Sequence, residues 1–320
     1  AGNRVRAGKG EDTMKAKTQP IKRKSRRIDL SLYLMLIPGI LVVLIYNYGP
    51  LAGLAIAFKK FNIVEGIFGS EWVGFDNFTY LFRYYPGFWK IIRNTVEIAL
   101  LKMVFNFIVP IAVALLLNEV TKNKFKRTVQ TFIYLPHFIS WITICGILIG
   151  ILHPEMGIIN HILKTMGMQS VYFLGRNDTF RFVLVISDVW KNFGYGTIIY
   201  MAALTGIDPT LYEAATIDRA NRWQKMRHIT LPGITPIILL VMTLNMGGIL
   251  NAGFDQIFNL YNMSVYETAD VLDTFTYRLG MIDAQYDLST AVGLLKSLVS
   301  CVLVSLTYYI AYKKADYRVF

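Results

Sequence analysis

The sequence predicts an all-α integral membrane protein of about six transmembrane helices, and three observations predict it. Of its 320 residues, 54% are hydrophobic and only 17% charged, which is too apolar for an ordinary soluble domain. Six stretches reach the roughly 20 apolar residues needed to cross a hydrocarbon core about 30 Å thick. Lys and Arg alternate between the connections, 21 on the side of the termini against 8 on the other. Basic connections are retained in the cytoplasm, so both termini are expected there.

The elements follow in order. Residues 1–29 form a basic tail, expected to be disordered, with the block Lys22-Arg23-Lys24-Ser25-Arg26-Arg27 just before the first apolar run. A net charge of +12 raises the question of nucleic acid. The charge is concentrated at this block, without interleaved stacking aromatics, so it reads as an orientation signal and a lipid-headgroup contact. The first span, Leu30–Ala57, is too long for a signal-peptide core and lacks a small-x-small cleavage site after it, so it is expected to remain as an anchor. Its Pro38-Gly39 and Gly49-Pro50 permit bending. The second span is Ile91–Leu117, the third Thr128–Leu152, the fourth Phe182–Gly206, the fifth Leu231–Phe254 and the sixth Ser289–Tyr312. Gly194, Gly196, Gly247 and Gly248 fall within spans, where small residues let helices approach. Cys145 and Cys301 lie in spans without metal-ligand spacing and read as small buried apolar residues.

The motifs of bond chemistry are missing. No Gly-x-x-x-x-Gly-Lys-Ser/Thr loop is present to cradle a nucleotide, so ATP hydrolysis is not expected on this chain. No His-Glu-x-x-His, paired-cysteine or Gly-x-Ser-x-Gly pattern marks a zinc site or a serine hydrolase. His153 and His161 share one connection and read as solvated loop residues. Solute movement is the remaining expectation, with no catalytic and no metal-binding residue.

The connection at about 207–232 is the most informative segment. Pro209 early, an acid in the first turn and then alanines give a helix start, and alanine lets such a helix lie close in a partner's groove. Tyr212 offers an apolar anchor and Glu213 a charge-assisted hydrogen bond, while Leu231-Pro232 is expected to redirect the chain into the fifth span. The run Glu213-Ala214-Ala215, then Asp218-Arg219-Ala220, then Ile229-x-Leu231-Pro232 closely resembles the Glu-Ala-Ala loop of permease subunits of binding-protein-dependent ATP-binding-cassette (ABC) importers. Eight of the nine motif positions are kept; the glycine of Asp-Gly-Ala is replaced by Arg219. The resemblance implies a type I importer permease fold over residues 30–320, in a bacterial cytoplasmic membrane. It also implies that this loop docks on a separate ATPase subunit, with Glu213 as the contact, Ala214 and Ala215 packing, and Asp218 steadying the next turn. The implied partners are two ATP-binding-cassette subunits that bind ATP and magnesium, a second homologous permease, and an extracytoplasmic solute-binding protein. No cofactor is expected on this chain itself.

Trp72-Val73-Gly74-Phe75-Asp76-Asn77 resembles the family's Val-Gly-x-x-Asn element. Pro136 to Trp141, Gly248 to Asn262, Val265 to Asp270 and Asp273 to Arg278 resemble its polysaccharide branch, which includes importers of alginate and of uronate-containing oligosaccharides. Independently of family, sugars call for planar hydrogen-bonding groups and aromatic faces. Asp188, Trp190, Lys191, Asn192, Asn245, Asn251, Lys296 and Ser297 are the candidates for a substrate path. Asp188 and Lys191, three apart on a helix, are equally placed to neutralise each other. Lys102, Lys191 and Lys296 suit a carboxylated sugar electrostatically, or pair with carboxylates such as Glu97. The acidic connection with Glu267, Asp270, Asp273, Asp283 and Asp287 reads either as a contact for the binding protein or as a solvated loop. An ion-coupled secondary transporter of small solutes is the alternative; it calls for midplane carboxylates and commonly an inverted repeat, whereas Asp188 is the main midplane candidate and no repeat is evident.

Overall fold

A computed structural model describes residues 30–315 together with the isolated Gly2; the predicted basic tail at 1–29 lies outside the described residues. The chain divides into two compact units, residues 1–51 and residues 52–320. In the first, α1 (Leu30–Val43) carries Pro38 and runs into a π-helical turn, Leu44–Tyr48, before Gly49-Pro50. A π turn just ahead of a proline absorbs the hydrogen bond that the proline nitrogen cannot donate.

The second unit is built on two long helices, α2 (Phe88–Asn118) and α6 (Asn177–Thr205). They run parallel, because successive contacts advance together: Asn94 meets Arg181, Lys102 meets Asp188, and the Pro110 carbonyl meets Thr197. Between them the chain forms α3 (Asn123–Tyr134), a 3-10 turn at Leu135–Phe138, α4 (Trp141–Ile151) and α5 (Ile158–Thr165). The predicted third span is therefore broken, and its halves are bent by 101°. Pro136 and the extended Ile139-Ser140 pair end the first half, and the Ser140 hydroxyl caps the second by accepting the Thr143 N–H.

After α6 come α7 (Pro209–Ile217), α8 (Leu231–Met246), α9 (Phe254–Leu260), α10 (Leu272–Tyr277) and α11 (Tyr286–Ala315). Leu231-Pro232 does not redirect the chain as expected. Helix is continuous from Arg222 to Met246 through a π turn at Met226–Thr230, which again precedes the proline. The predicted fifth span instead ends early, at Met246, and Gly247 and Gly248 sit in turns rather than in a helix.

Among the described residues, four helical stretches are both long and apolar enough to cross a membrane: Tyr33–Phe58, Phe88–Asn118, Arg222–Met246 and Tyr286–Tyr309. The bent pair raises this to five. The predicted count of six also needs α6, which is long enough at 29 residues but carries Asp188 and Lys191 at its centre.

Apolar packing falls into three layers along the second unit. Phe88, Phe275, Leu279 and Val292 pack at the end where α2 begins; Ile98, Phe180, Leu184 and Ile257 fill the middle; Ala114, Tyr200, Leu204 and Ile234 close the end from which α7 emerges. Of the two cysteines, Cys145 is buried as expected, whereas Cys301 is exposed on α11.

Candidate functional site: a polar cavity and an exposed loop helix

The centre of the α2–α6 pair holds a cation and a carboxylate. Lys102 Nζ donates to the Ala252 carbonyl at 2.6 Å and to Gln256 Oε1, and lies 3.6 Å from Asp188 Oδ1. The other Asp188 oxygen accepts from Asn106 Nδ2 at 2.6 Å. Gln256 Nε2 in turn donates to the Leu184 carbonyl and the Ser187 hydroxyl, at 2.8 and 2.7 Å. These bonds tie the start of α9 to both long helices. Gly253 makes the approach possible: its φ is +90°, and a Cβ there would stand 2.9 Å from the lysine nitrogen.

Beside this network the unwound segment 247–253 borders a cavity of about 320 Å³, lined by Lys102, Asn106, Asp188, Asn245 and Asn251 among others. Non-helical backbone at membrane depth is tolerated where it lines such a cavity. The Asn106 Oδ1 atom is buried without a hydrogen-bond partner among the described residues. Of the predicted path residues the fold brings Asp188, Asn245 and Asn251 together here.

The others go elsewhere. Lys191 does not pair with Asp188; its ammonium donates to the carbonyls of Pro136 at 3.3 Å, His137 at 2.7 Å and Ile139 at 2.5 Å, with the Trp141 ring 5.5 Å away. It closes the orphan carbonyls of the broken third span. Asn192 Oδ1 lies 3.2 Å from His137 Nδ1, and the His137 ring stacks flat on Tyr195 at 4.1 Å. Gly194 lets α6 pass so close that a Cβ would fall 1.9 Å from the Ile133 carbonyl oxygen. Trp190 faces outward, into an apolar groove of about 820 Å³ shared with Phe105 and Phe182. Lys296 is paired with Asp273, and the Ser297 hydroxyl bonds its own helix at the Gly293 carbonyl, 3.0 Å away.

Glu97 pairs with Arg181 and Arg93 rather than with a lysine. Arg181 also reaches Asn94 at 2.7 Å and the Thr268 carbonyl at 3.2 Å. The acidic connection is largely neutralised internally: Glu267 with Lys90, Asp270 with Arg278 at 2.5 Å, and Asp273 with Lys296. The Lys90 hydrogen bond holds the Glu267 carboxyl below its ordinary range. Lys102 was legible as a charge in an apolar run and Gln256 lay within the Gly248-to-Asn262 run, but Asn106 gave no sequence signal beyond being polar. Asn106 lies one helical turn past Lys102, which puts both on one face.

The opposite end presents α7. Asp208 is its N-cap, its carboxylate accepting the Thr210 N–H at 2.9 Å, and Pro209 fills the first helical position. That backbone hydrogen bond lowers the Asp208 pKa. At the C-terminus Ala220 N–H bonds the Ala215 carbonyl at 2.9 Å and Arg219 N–H bonds the Thr216 carbonyl at 3.1 Å, a Schellman closure. The closure requires a left-handed residue, and Arg219 occupies it with φ +58°. That is the position of the motif glycine: the turn survives the substitution, under strain.

Tyr212 is half-buried, its hydroxyl 2.9 Å from that of Thr230. Asp218 caps α7 through its backbone and lines a notch of about 280 Å³ with Ala215, Ala220 and His228. Glu213, Ala214 and Arg219 are exposed, as are Leu231 and Pro232. Among the described residues, the ion pair of this end joins Arg222 to Glu119 at 3.9 Å and leaves Glu213 free.

A parallel, polar-centred helix pair with a doubly capped loop helix at one end, among several helices long and apolar enough to cross a membrane, describes a polytopic helical membrane protein. Residues 49–315 match the family of binding-protein-dependent transport system inner membrane components, and the chain belongs to it. It is a transport permease rather than an enzyme. Protein LplB of Bacillus subtilis (strain 168) is 43% identical over 97% of this chain and 94% of its own. The polygalacturonan/rhamnogalacturonan transport system permease protein YteP of the same organism is 40% identical over 88% of each chain. A solved bacterial ABC transporter involved in import of the acidic polysaccharide alginate matches with a TM-score of 0.84 and 40% identity, over 89% of this chain and 96% of the other. The fold is thus the type I ABC permease fold. A bacterial alginate ABC transporter in complex with alginate pentasaccharide-bound periplasmic protein matches with a TM-score of 0.83 and 40% identity, over 89% of this chain and 95% of the other.

Proposed function

We propose that this chain is one membrane subunit of an ATP-driven importer in a bacterial cytoplasmic membrane. It moves oligosaccharides, delivered by an extracytoplasmic solute-binding protein, through the cavity bordered by Asp188, Asn245 and Asn251. The observation that carries the reading is α7: a short helix fixed at both ends whose one acid, Glu213, is exposed and, among the described residues, free of ion pairs. A charge-assisted hydrogen bond from Glu213 to a basic residue of an ATPase subunit is worth about 1.5–3 kcal/mol. Closure of two such subunits on ATP and magnesium would pull α7 and, through the continuous Arg222–Met246 helix, move the cavity wall at Asn245. A second, homologous permease completes the path.

The names of the relatives favour acidic saccharides as cargo. The three interior lysines do not add to that argument, because each is occupied: Lys102 by Asp188 and Gln256, Lys191 by carbonyls, Lys296 by Asp273. At this cavity the chain offers amides and a neutralised ion pair, which suit hydroxyl groups. Carboxylate recognition then belongs to other surfaces of the assembly.

Reconstitution tests the reading. The four-subunit assembly in liposomes, with binding protein, is expected to accumulate oligosaccharide only when ATP is hydrolysed, and Glu213→Lys is expected to abolish accumulation while membrane insertion is retained. Uptake by the isolated chain on an ion gradient would reverse the assignment.

A further inference from the structure

A second cavity lies at the end of the second unit opposite α7, apart from the one bordered by Asp188. Its volume is about 480 Å³, between the end of α4, the segment 172–174 that leads into α6, and the end of α9. That size falls within the range of ligand pockets. Its floor is apolar, with Leu174 and Leu260 buried, and its walls carry His153, Tyr172, Asn259 and Tyr261. Among the described residues, none that lines it bears a carboxylate, an ammonium or a guanidinium.

Amides and close packing fix these walls. Asn160, fully buried on α5, donates to the His153 and Val171 carbonyls at 3.1 and 3.0 Å and accepts the Val171 N–H at 2.8 Å. Asn262 donates to the Leu174 carbonyl at 2.9 Å. The Tyr172 ring is seated on Gly175, where a Cβ would fall 2.1 Å from it. Tyr261 is backed by Tyr266, with ring centroids 4.8 Å apart.

Two of the fixed side chains keep hydrogen-bonding capacity in hand. His153 Nδ1 accepts the Glu155 and Met156 N–H groups, both at 3.2 Å, so the ring N–H that remains is at Nε2. Asn259 Nδ2 donates to the Asp255 carbonyl at 2.6 Å, which orients the amide, and its Oδ1 accepts nothing among the described residues. The walls thus combine aromatic faces, one fixed donor and one fixed acceptor, without net charge.

We propose that this cavity is an outer saccharide subsite, which holds a pyranose unit of the cargo before it reaches the cavity at Asp188. The inference rests on the importer reading, which supplies the class of cargo. A pyranose has apolar C–H faces and hydroxyl edges that both donate and accept. Tyr172 and Tyr261 offer rings to the faces, while His153 Nε2 and Asn259 Oδ1 meet the edges. An acyl chain would leave both polar groups unmatched. The ring and its hydroxyls, rather than a carboxylate, are what uncharged walls read. On α9, Gln256 of the Lys102 network and Asn259 of the outer wall are three residues apart, about one helical turn.

The test is photolabelling of the whole assembly in nanodiscs, mapped by mass spectrometry. The probes are tetragalacturonate and, in parallel, maltotetraose, each carrying a diazirine at its reducing end. With at least one probe, adducts that the unlabelled saccharide competes away are expected on the peptides holding Tyr172 or Asn259. Tyr172→Ala and Asn259→Ala should each weaken that competition about fivefold, the loss of a single wall contact. Wild-type labelling confined to Asn245 and Asn251, or absent from the outer peptides with both probes, would overturn the proposal. So would variants that weaken docking of saccharide-free binding protein yet leave the labelling unchanged, which would make the cavity a protein dock. The wild-type map needs no substitution, and ATP-dependent uptake by the wild-type assembly reports separately on the importer reading.

Discussion

The centre of the α2–α6 pair and the α7 loop both carry charge, and they use it in opposite ways. At the centre, Lys102, Asp188 and Lys191 are buried or nearly so, and each is held by partners within the chain. In the loop, Glu213 is in the open and forms no ion pair among the described residues. The difference teaches where to look for function in a membrane protein. A charge in low dielectric must be neutralised by its own fold, since an unpaired one costs several kcal/mol. A charge in water is free to wait for another molecule.

The largest expected effect comes from breaking the buried side. Asp188→Leu leaves Lys102 uncompensated and is expected to cost about 3–5 kcal/mol, read as a fall in the thermal midpoint of detergent-solubilised protein. Adding Lys102→Met should restore most of it; a midpoint unmoved by Asp188→Leu would mean the pair is not formed.

Glu213→Lys probes the exposed side. Removal of a charge-assisted bond worth about 1.5–3 kcal/mol should strip the ATPase from the purified complex, with the thermal midpoint of the chain unchanged. Loss of stability instead would make Glu213 a structural residue.

Lys191→Met separates structure from transport at one position. If the lysine serves the bent third span, about 1–3 kcal/mol of stability is lost and the saccharide KM of the residual activity stays the same. A rise in KM at unchanged stability would return Lys191 to the substrate path.

Arg219→Gly should relieve the left-handed strain, which is roughly 1–2 kcal/mol for a residue with a side chain, less the added chain entropy of glycine. A small upward shift of the melting midpoint is expected, with uptake retained.

The smallest effect is a pH dependence at Asp208. Its carboxyl is lowered by the Thr210 N–H, so the cap is complete at neutral pH and is lost only as pH falls through the depressed value, below the ordinary carboxylate range. The protection factor of the Thr210 amide, its exchange rate relative to the intrinsic rate at each pH, should fall there in the native chain and stay flat in Asp208→Asn, which keeps the cap without the titration.

Much of this was legible beforehand, for identifiable reasons. The Glu-Ala-Ala loop was readable because its features are local: an early proline, adjacent alanines, and the motif position where Arg219 replaces glycine; the Asp208 cap and the positive φ of Arg219 came from the structure. The long apolar runs were readable because bilayer thickness imposes length directly on sequence. The partners of Lys102, Lys191 and Lys296 were not readable. Those partners lie 86, 54 and 23 residues away, at Asp188, the His137 carbonyl and Asp273. The rule for pairs three apart suggested Asp188 with Lys191, but tertiary packing supplied better partners to each.

By itself, then, the sequence determined that the chain crosses a membrane several times, that it carries no nucleotide loop of its own, and that it exposes a motif helix between two apolar runs. The tertiary structure alone decided which charges face a cavity, where the third and fifth runs break, and that the Tyr212 hydroxyl meets that of Thr230. Apolar length and helix capping are properties of neighbours along the chain. Charge pairing depends on which helices meet, and the parallel packing of α2 on α6 sets that.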